Sequence, residues 1–154
     1  MDSKSLLNFL GKQATQSAFK KQYGGWIKES PEGVAVLVPQ KSRFGLQYDI
    51  NVKIFIHGTF QKTYKPSKEL VNSVGNIFRR TPEKFDEALN LESIVDDSQR
   101  LNEIETMFRE FLNPFVDAML TKKGIIDFKR KFPEEIFILP AVEEELQSLI
   151  SGSK

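Results

Sequence analysis

The reading of the fold starts at Leu46-Gln47-Tyr48-Asp49-Ile50-Asn51-Val52-Lys53-Ile54-Phe55-Ile56-His57. Leu46, Tyr48, Ile50, Val52, Ile54 and Ile56 alternate with Gln47, Asp49, Asn51, Lys53, Phe55 and His57. Successive side chains of an extended chain point to opposite faces, so this period-two pattern predicts one long strand, apolar on one side and wet on the other. A slip of one residue would bury Asp49, Asn51 and Lys53, so the pattern also sets the register.

Upstream, Val34-Ala35-Val36-Leu37-Val38 is a short β-branched run suited to a central strand covered on both faces, and Pro39 is expected to end it. Ser30-Pro31-Glu32-Gly33 supplies turn chemistry between that run and a strand around Trp26 to Glu29. Before it, Leu7, Leu10, Ala14 and Ala18 recur at helical spacing from about Ser3 to Ser17, and Gly24-Gly25 breaks the pattern. Downstream, Gly58 to Lys65 is a polar excursion. Pro66-Ser67 can open a short helix through Leu70, Val71 and Val74, closed by Gly75. Asn76 to Arg80 and Phe85 to Leu91 read as two shorter strands.

The second half is helical. Leu101, Ile104, Phe108, Phe111, Leu112, Phe115, Met119 and Leu120 keep helical spacing, with a cap at Ser93 with Asp96 or at Ser98. Pro114 should kink or divide that helix, because it lacks an N–H and crowds the preceding turn. Gly124 is the expected stop. Ile125, Phe128 and Phe132 make another short helix, Ile136 to Leu139 leaves its conformation open, and Pro140 starts the last helix. Strands gathered before helices argue α+β. The expected architecture is an antiparallel meander of about five strands, with the N-terminal and C-terminal helices packed on one face, in a single domain over residues 1–154. The ends, Met1 to Ser5 and Ser151 to Lys154, should fray.

Composition narrows the function classes. With 154 residues, 40% hydrophobic and 28% charged, the chain fits a folded body rather than a disordered or membrane-embedded one. Thirteen Phe residues point to a core built on large rings. Twenty-two basic and 21 acidic side chains give a net charge of +1. That balance exerts no global pull on nucleic acid or anionic lipid. There is no cysteine, which excludes disulfides, thiolate catalysis and Cys-ligated metals and fits a cytoplasmic setting. No stretch reaches the length and apolarity of a spanning helix, and no cofactor-binding glycine pattern occurs.

Phe19-Lys20-Lys21, Trp26, Gln40-Lys41-Ser42-Arg43-Phe44 and Tyr48-Asp49-Ile50-Asn51-Val52 together resemble a bacterial family known as domain of unknown function 4304, with Gly75 to Arg80 as a further echo. Ala18 and Lys53 stand where that family tends to have Gly. The resemblance implies a small α+β domain and carries no activity.

The chemistry on offer is sparse. His57 is the single histidine; a hydrolase or other enzyme would have to assemble it with carboxylates from elsewhere. Glu134 and Glu135 read as solvated charge. Gln40, Lys41, Ser42 and Arg43 precede the long strand, and Arg79-Arg80 ends a neighbour, so they could form one anion-binding rim. Gln47, Asp49, Asn51 and Lys53 offer donors and acceptors on the polar strand face, which can be a docking platform, an ordinary wet face, or one partly covered by the Gly58 to Val74 excursion. The first expectation is a non-enzymatic interaction or regulatory domain that docks another protein on that face. The second is weak binding of nucleic acid or a phosphorylated ligand at the rim, and the third an enzyme using His57. Neither a cofactor nor a membrane is expected as a partner.

Overall fold

The computed structural model describes residues 1–152. Of the expected frayed C-terminus, Ser153 and Lys154 lie outside the described residues. Six strands form one antiparallel sheet in sequence order, β1 (Lys20–Gln22), β2 (Gly25–Ser30), β3 (Gly33–Lys41), β4 (Tyr48–Ile56), β5 (Ile77–Arg80) and β6 (Phe137–Ile138). Helix α1 (Ser3–Gln16) precedes the sheet and α2 (Lys68–Asn72) lies between β4 and β5. The C-terminal half carries α3 (Asp97–Met107), α4 (Asn113–Met119), α5 (Lys122–Lys131) and α6 (Pro140–Gly152). None of the described helices is long and apolar enough to cross a membrane. The α+β meander with helices at both ends is the architecture that the alternating pattern predicts.

Alternation decides what each strand buries. On β4, Tyr48, Ile50, Val52, Ile54 and Ile56 join Ala35 and Leu37 of β3 in the main core against Leu6, Leu10 and Ala14 of α1 and the C-terminal helices. Val34 and Val36 of β3 point the other way, with Ile27 and Phe55, into a second cluster closed by Leu70 and Val71 of α2. Strand β3 is therefore covered on both faces.

The opposite face of β4 is not wet along its length. Asn51 and Lys53 are 7% and 8% exposed and Phe55 is 3% exposed; residues 58–76 lie over Lys53 and Phe55, and Gln40 meets the Asn51 amide. Phe55 packs on Tyr64, with ring centroids 5.3 Å apart. The Lys53 ammonium donates to the Val71 carbonyl at 2.6 Å. Asn76 secures the returning segment by accepting from the Ile56 amide at 2.7 Å and from Thr59 Oγ1 at 3.1 Å. Gly75, at φ +88°, makes the tight passage back to β5; a Cβ there would lie 3.1 Å from the Ile54 carbonyl oxygen.

Further elements differ from the sequence pattern. Phe85 to Leu91 is not a strand: Glu83–Phe85 forms a 3₁₀ turn and only Asn90 bridges to Gln47. Its buried residues, Phe85, Ala88 and Leu89, follow turn rather than strand spacing. Phe137–Ile138 becomes β6 by pairing with Phe78 and Ile77. Gly124 does not stop the long helix. Asp96 caps α3, Thr121 caps α5, and Gly124 sits in the first turn of α5, where a Cβ would meet the Ala118 carbonyl at 2.1 Å. Around Pro114 the run is divided, as expected, into α3 and α4. A π-helical turn, Phe108–Leu112, connects α3 to α4, and the Asn113 amide bonds the Phe108 carbonyl five residues back. That wider turn accommodates the missing Pro114 N–H and its ring.

Candidate functional site

Strand parity separates residues that are neighbours in sequence. Arg79 is opposite Val52 and Arg80 opposite Asn51. Val52 faces the helices and Asn51 the α2 side, so the two arginines point to opposite faces of the sheet. Lys41 pairs with Tyr48 at the far end of β3, whereas Leu37 pairs with Val52. Four residues along a strand and two strands across put the backbones of Lys41 and Arg79 about 16 Å apart. Arg79 is thus not gathered into one rim with Lys41 and Arg80, whereas Gln40 and Arg80 both flank Asn51 on the α2 side.

The other candidates have local partners. Gln40 Oε1 accepts from Asn51 Nδ2 at 2.7 Å. Ser42 Oγ accepts from the Phe44 amide at 3.2 Å, shaping the β3–β4 loop, and Arg43 is exposed on that loop. Asp49 is half-buried opposite Gln40. Its charge and that of Glu83, after burial itself, push the Asp86 carboxyl above the ordinary aspartate value. Burial pushes the Lys53 ammonium below the usual lysine range. No group of three or more His, Asp or Glu among the described residues is placed to hold a metal. His57 Nδ1 accepts from the Tyr64 amide at 3.1 Å, and the His57 amide bonds the Glu32 carbonyl at 2.9 Å. Through Nδ1 the imidazole ties down the covering segment, while the bond to Glu32 is main chain to main chain.

Arg79 stands apart. Its side chain is 17% exposed and runs between the sheet edge and the π-helical turn. The guanidinium lies 4.6 Å from the Phe111 ring centre and 5.2 Å from that of Phe115. Those two rings stack 5.6 Å apart with 13° between their planes. Phe128 of α5 meets Phe115 edge-on at 5.4 Å, and Phe132 packs on Phe128 at 5.1 Å. The result is a cation on an aromatic floor with a second aromatic wall beside it.

An open cavity of about 270 Å³ lies over this group, with Pro114, Glu110 and Glu135 at its margin. Glu135 Oε2 accepts from Arg79 Nη2 at 2.6 Å. The remaining N–H groups of the guanidinium have no protein acceptor among the described residues. A broader depression of about 500 Å³ between α1 and the π turn has a mainly polar lining, including Gln13, Gln16, Glu105 and Arg109. It does not combine a half-buried charge with apolar walls.

The aromatic part of the site is visible in the sequence only as two Phe pairs, 111/115 and 128/132, each spaced i, i+4. Such pairs share one face of a helix, which also reads as ordinary core. Phe132 is 40% exposed, and that distinguishes the second pair from core.

The architecture is that of an α+β meander domain with a cationic–aromatic pocket at one edge of its sheet. The chain belongs to the family described as "Domain of unknown function (DUF4304)", which matches residues 10–118. No curated protein and no solved structure matches the chain significantly.

Proposed function

We propose that this is a non-enzymatic protein-interaction domain that takes an apolar side chain of a partner protein into the Arg79 pocket. The observation carrying this reading is the half-buried guanidinium stacked on Phe111 and Phe115 beneath an open cavity. Binding sites combine mostly apolar walls with a few placed polar groups, and this cavity has that composition. Its volume, about 270 Å³, is below the range of drug-sized pockets and suits one side chain. A π-helical turn at its floor adds support, since such turns recur at functional sites. The polar face of β4 is replaced in this role, because Asn51 and Lys53 are buried and Lys53 is spent on the Val71 carbonyl. His57, whose Nδ1 accepts from the Tyr64 amide and whose ring stacks on Tyr64, is read as a structural anchor.

The test is a titration of the ¹⁵N-labelled full chain with N-acetylphenylalaninamide, a neutral mimic of an aromatic residue. A single side chain should bind with a dissociation constant on the order of 1 mM. Saturable shifts are expected at Arg79, Phe111, Phe115, Phe128 and Phe132. Shifts scattered over the surface, or none that saturate, would remove the pocket from consideration.

A further inference from the structure

We infer that the natural occupant of the Arg79 pocket carries a carboxylate next to its apolar group, and that Glu135 holds the place of that carboxylate in the free protein; this rests on the pocket reading proposed above. The chemistry is already displayed by the chain itself. Phe111 and Phe115 cover the guanidinium, directing further polar contacts to its N–H groups. One of those groups holds the Glu135 carboxylate at 2.6 Å, and others have no protein acceptor among the described residues.

Glu135 is suited to give way. Its side chain is 48% exposed, and it sits on the turn after α5, where its amide bonds the Phe132 carbonyl at 3.1 Å. Strand β6 begins two residues later and pairs only with Ile77 and Phe78, so ladder pairing stops before Arg79. The Glu135 carboxylate can therefore swing away without breaking a strand pair.

Charge selects the occupant. A neutral group displacing Glu135 would leave a half-buried guanidinium without its counter-ion, whereas an incoming carboxylate preserves the pair. A phosphate dianion would bring a second negative charge beside Glu110 and Glu135, with Arg79 the one cationic residue lining the cavity among the described residues. The shared chemistry is an apolar monocarboxylate, supplied either by the end of a polypeptide chain or by an acidic side chain beside an apolar one.

The experiment measures dissociation constants of three probes for the full chain: N-acetylphenylalanine, N-acetylphenylalaninamide, and the amide of N-acetyl-Phe-Glu. At least one carboxylate probe should bind wild type about fivefold or more tightly than the neutral amide. Glu135→Gln should widen that advantage severalfold, and Arg79→Gln should abolish it. Preference for N-acetylphenylalanine assigns a chain end, and preference for the Glu-containing probe assigns a side chain. If all three bind wild type and Glu135→Gln equally, the carboxylate assignment is overturned and the pocket reading stands. If none binds, both fall. The wild-type comparison alone needs no variant, so a folding defect in either variant cannot shelter the proposal.

Discussion

Arg100 offers the sharpest test of how the fold is held together. It is 2% exposed on α3, and no carboxylate among the described residues pairs with it. Its guanidinium instead donates to backbone carbonyls. Nη1 reaches Ala88 and Asn90 at 2.9 Å and Glu87 at 3.3 Å, and Nη2 reaches Val95 at 3.2 Å. These carbonyls belong to the irregular 86–95 stretch, whose Leu89 carbonyl and Leu91 amide bond Tyr48 and Leu46 at the start of β4.

Replacing Arg100 by Met keeps much of the volume and strands the carbonyls. A hydrogen bond from a charged donor contributes about 1.5–3 kcal/mol, and the two 2.9 Å bonds fall in that class. Against this stands the cost of burying an unneutralised charge, whose Nε has no partner. The expected net loss is about 3 kcal/mol for Arg100→Met, and about 1–2 kcal/mol for Arg100→Lys, which keeps the charge but not the fork. Urea unfolding with linear extrapolation measures both, and the slope should stay constant if only stability changes. Amide exchange at Tyr48 and Leu91 should accelerate in the Met variant before it does in the strand centre. A Met variant within about 0.5 kcal/mol of wild type would refute the reasoning, because a clasp of this kind cannot be removed that cheaply.

Two further predictions concern backbone strain and buried charge. Ala18 follows α1 at φ +70° and is exposed, so Ala18→Gly relieves a left-handed conformation without opening a cavity. The relief of about 1–2 kcal/mol, less the backbone entropy of Gly, leaves a gain of roughly 0.5–1 kcal/mol. Calorimetry should show the variant melting about 2 °C higher, and an unchanged or lower midpoint counts against the strain. Lys53→Met replaces a buried ammonium by an apolar chain of similar length; the relieved charge burial and the stranded Val71 carbonyl oppose each other, so stability at pH 7 should change by less than about 1 kcal/mol. The unfolded chain holds the Lys53 proton up to about pH 10.5 while the folded chain releases it lower, so the burial penalty fades as pH rises through that interval. The stability of the Met variant relative to wild type should therefore fall as pH rises toward 10.5; a difference in urea midpoint that stays constant over that rise would contradict the burial of charge.

What could be read from sequence depended on whether a signal was local. The alternation at 46–57 fixed which side chains of β4 share a face, since that follows from backbone geometry alone. Cover of the second face by the excursion after Gly58 was one of the readings open from sequence, but nothing local selected it, because that segment has no strong period and is held by dispersed contacts: His57 to the Tyr64 amide, Lys53 to Val71, and Asn76 to Ile56 and Thr59. Strand β6 was equally hidden, because Phe137 and Ile138 are extended by pairing with β5, about sixty positions earlier in the chain. At Pro114 the local rule correctly marked a disturbance in the helix, and the chain resolved it with a π turn rather than a kink. Arg79 was legible as a candidate cation. Its separation from Arg80 was implicit in strand parity, while its stacking on Phe111 depended on how the helices return to the sheet.

That return path also divides the site into two parts with different roles. The family match ends at residue 118, so Arg79, Phe111 and Phe115 fall inside it, while Phe128, Phe132 and Glu135 fall beyond. The inner part is structural as well as receptive: Phe111 and Phe115 belong to the main core, and the guanidinium seals their outer surface. Changing those rings would therefore disturb folding and binding together. The outer part is not so constrained. Phe132 is 40% exposed and Glu135 lies on a turn, so substitutions there alter the wall and the competing carboxylate with little loss of buried area. Selectivity for an occupant is accordingly expected to reside in residues 128–135, carried on α5 and the turn after it. The stacked guanidinium supplies the common floor on which that selectivity is expressed.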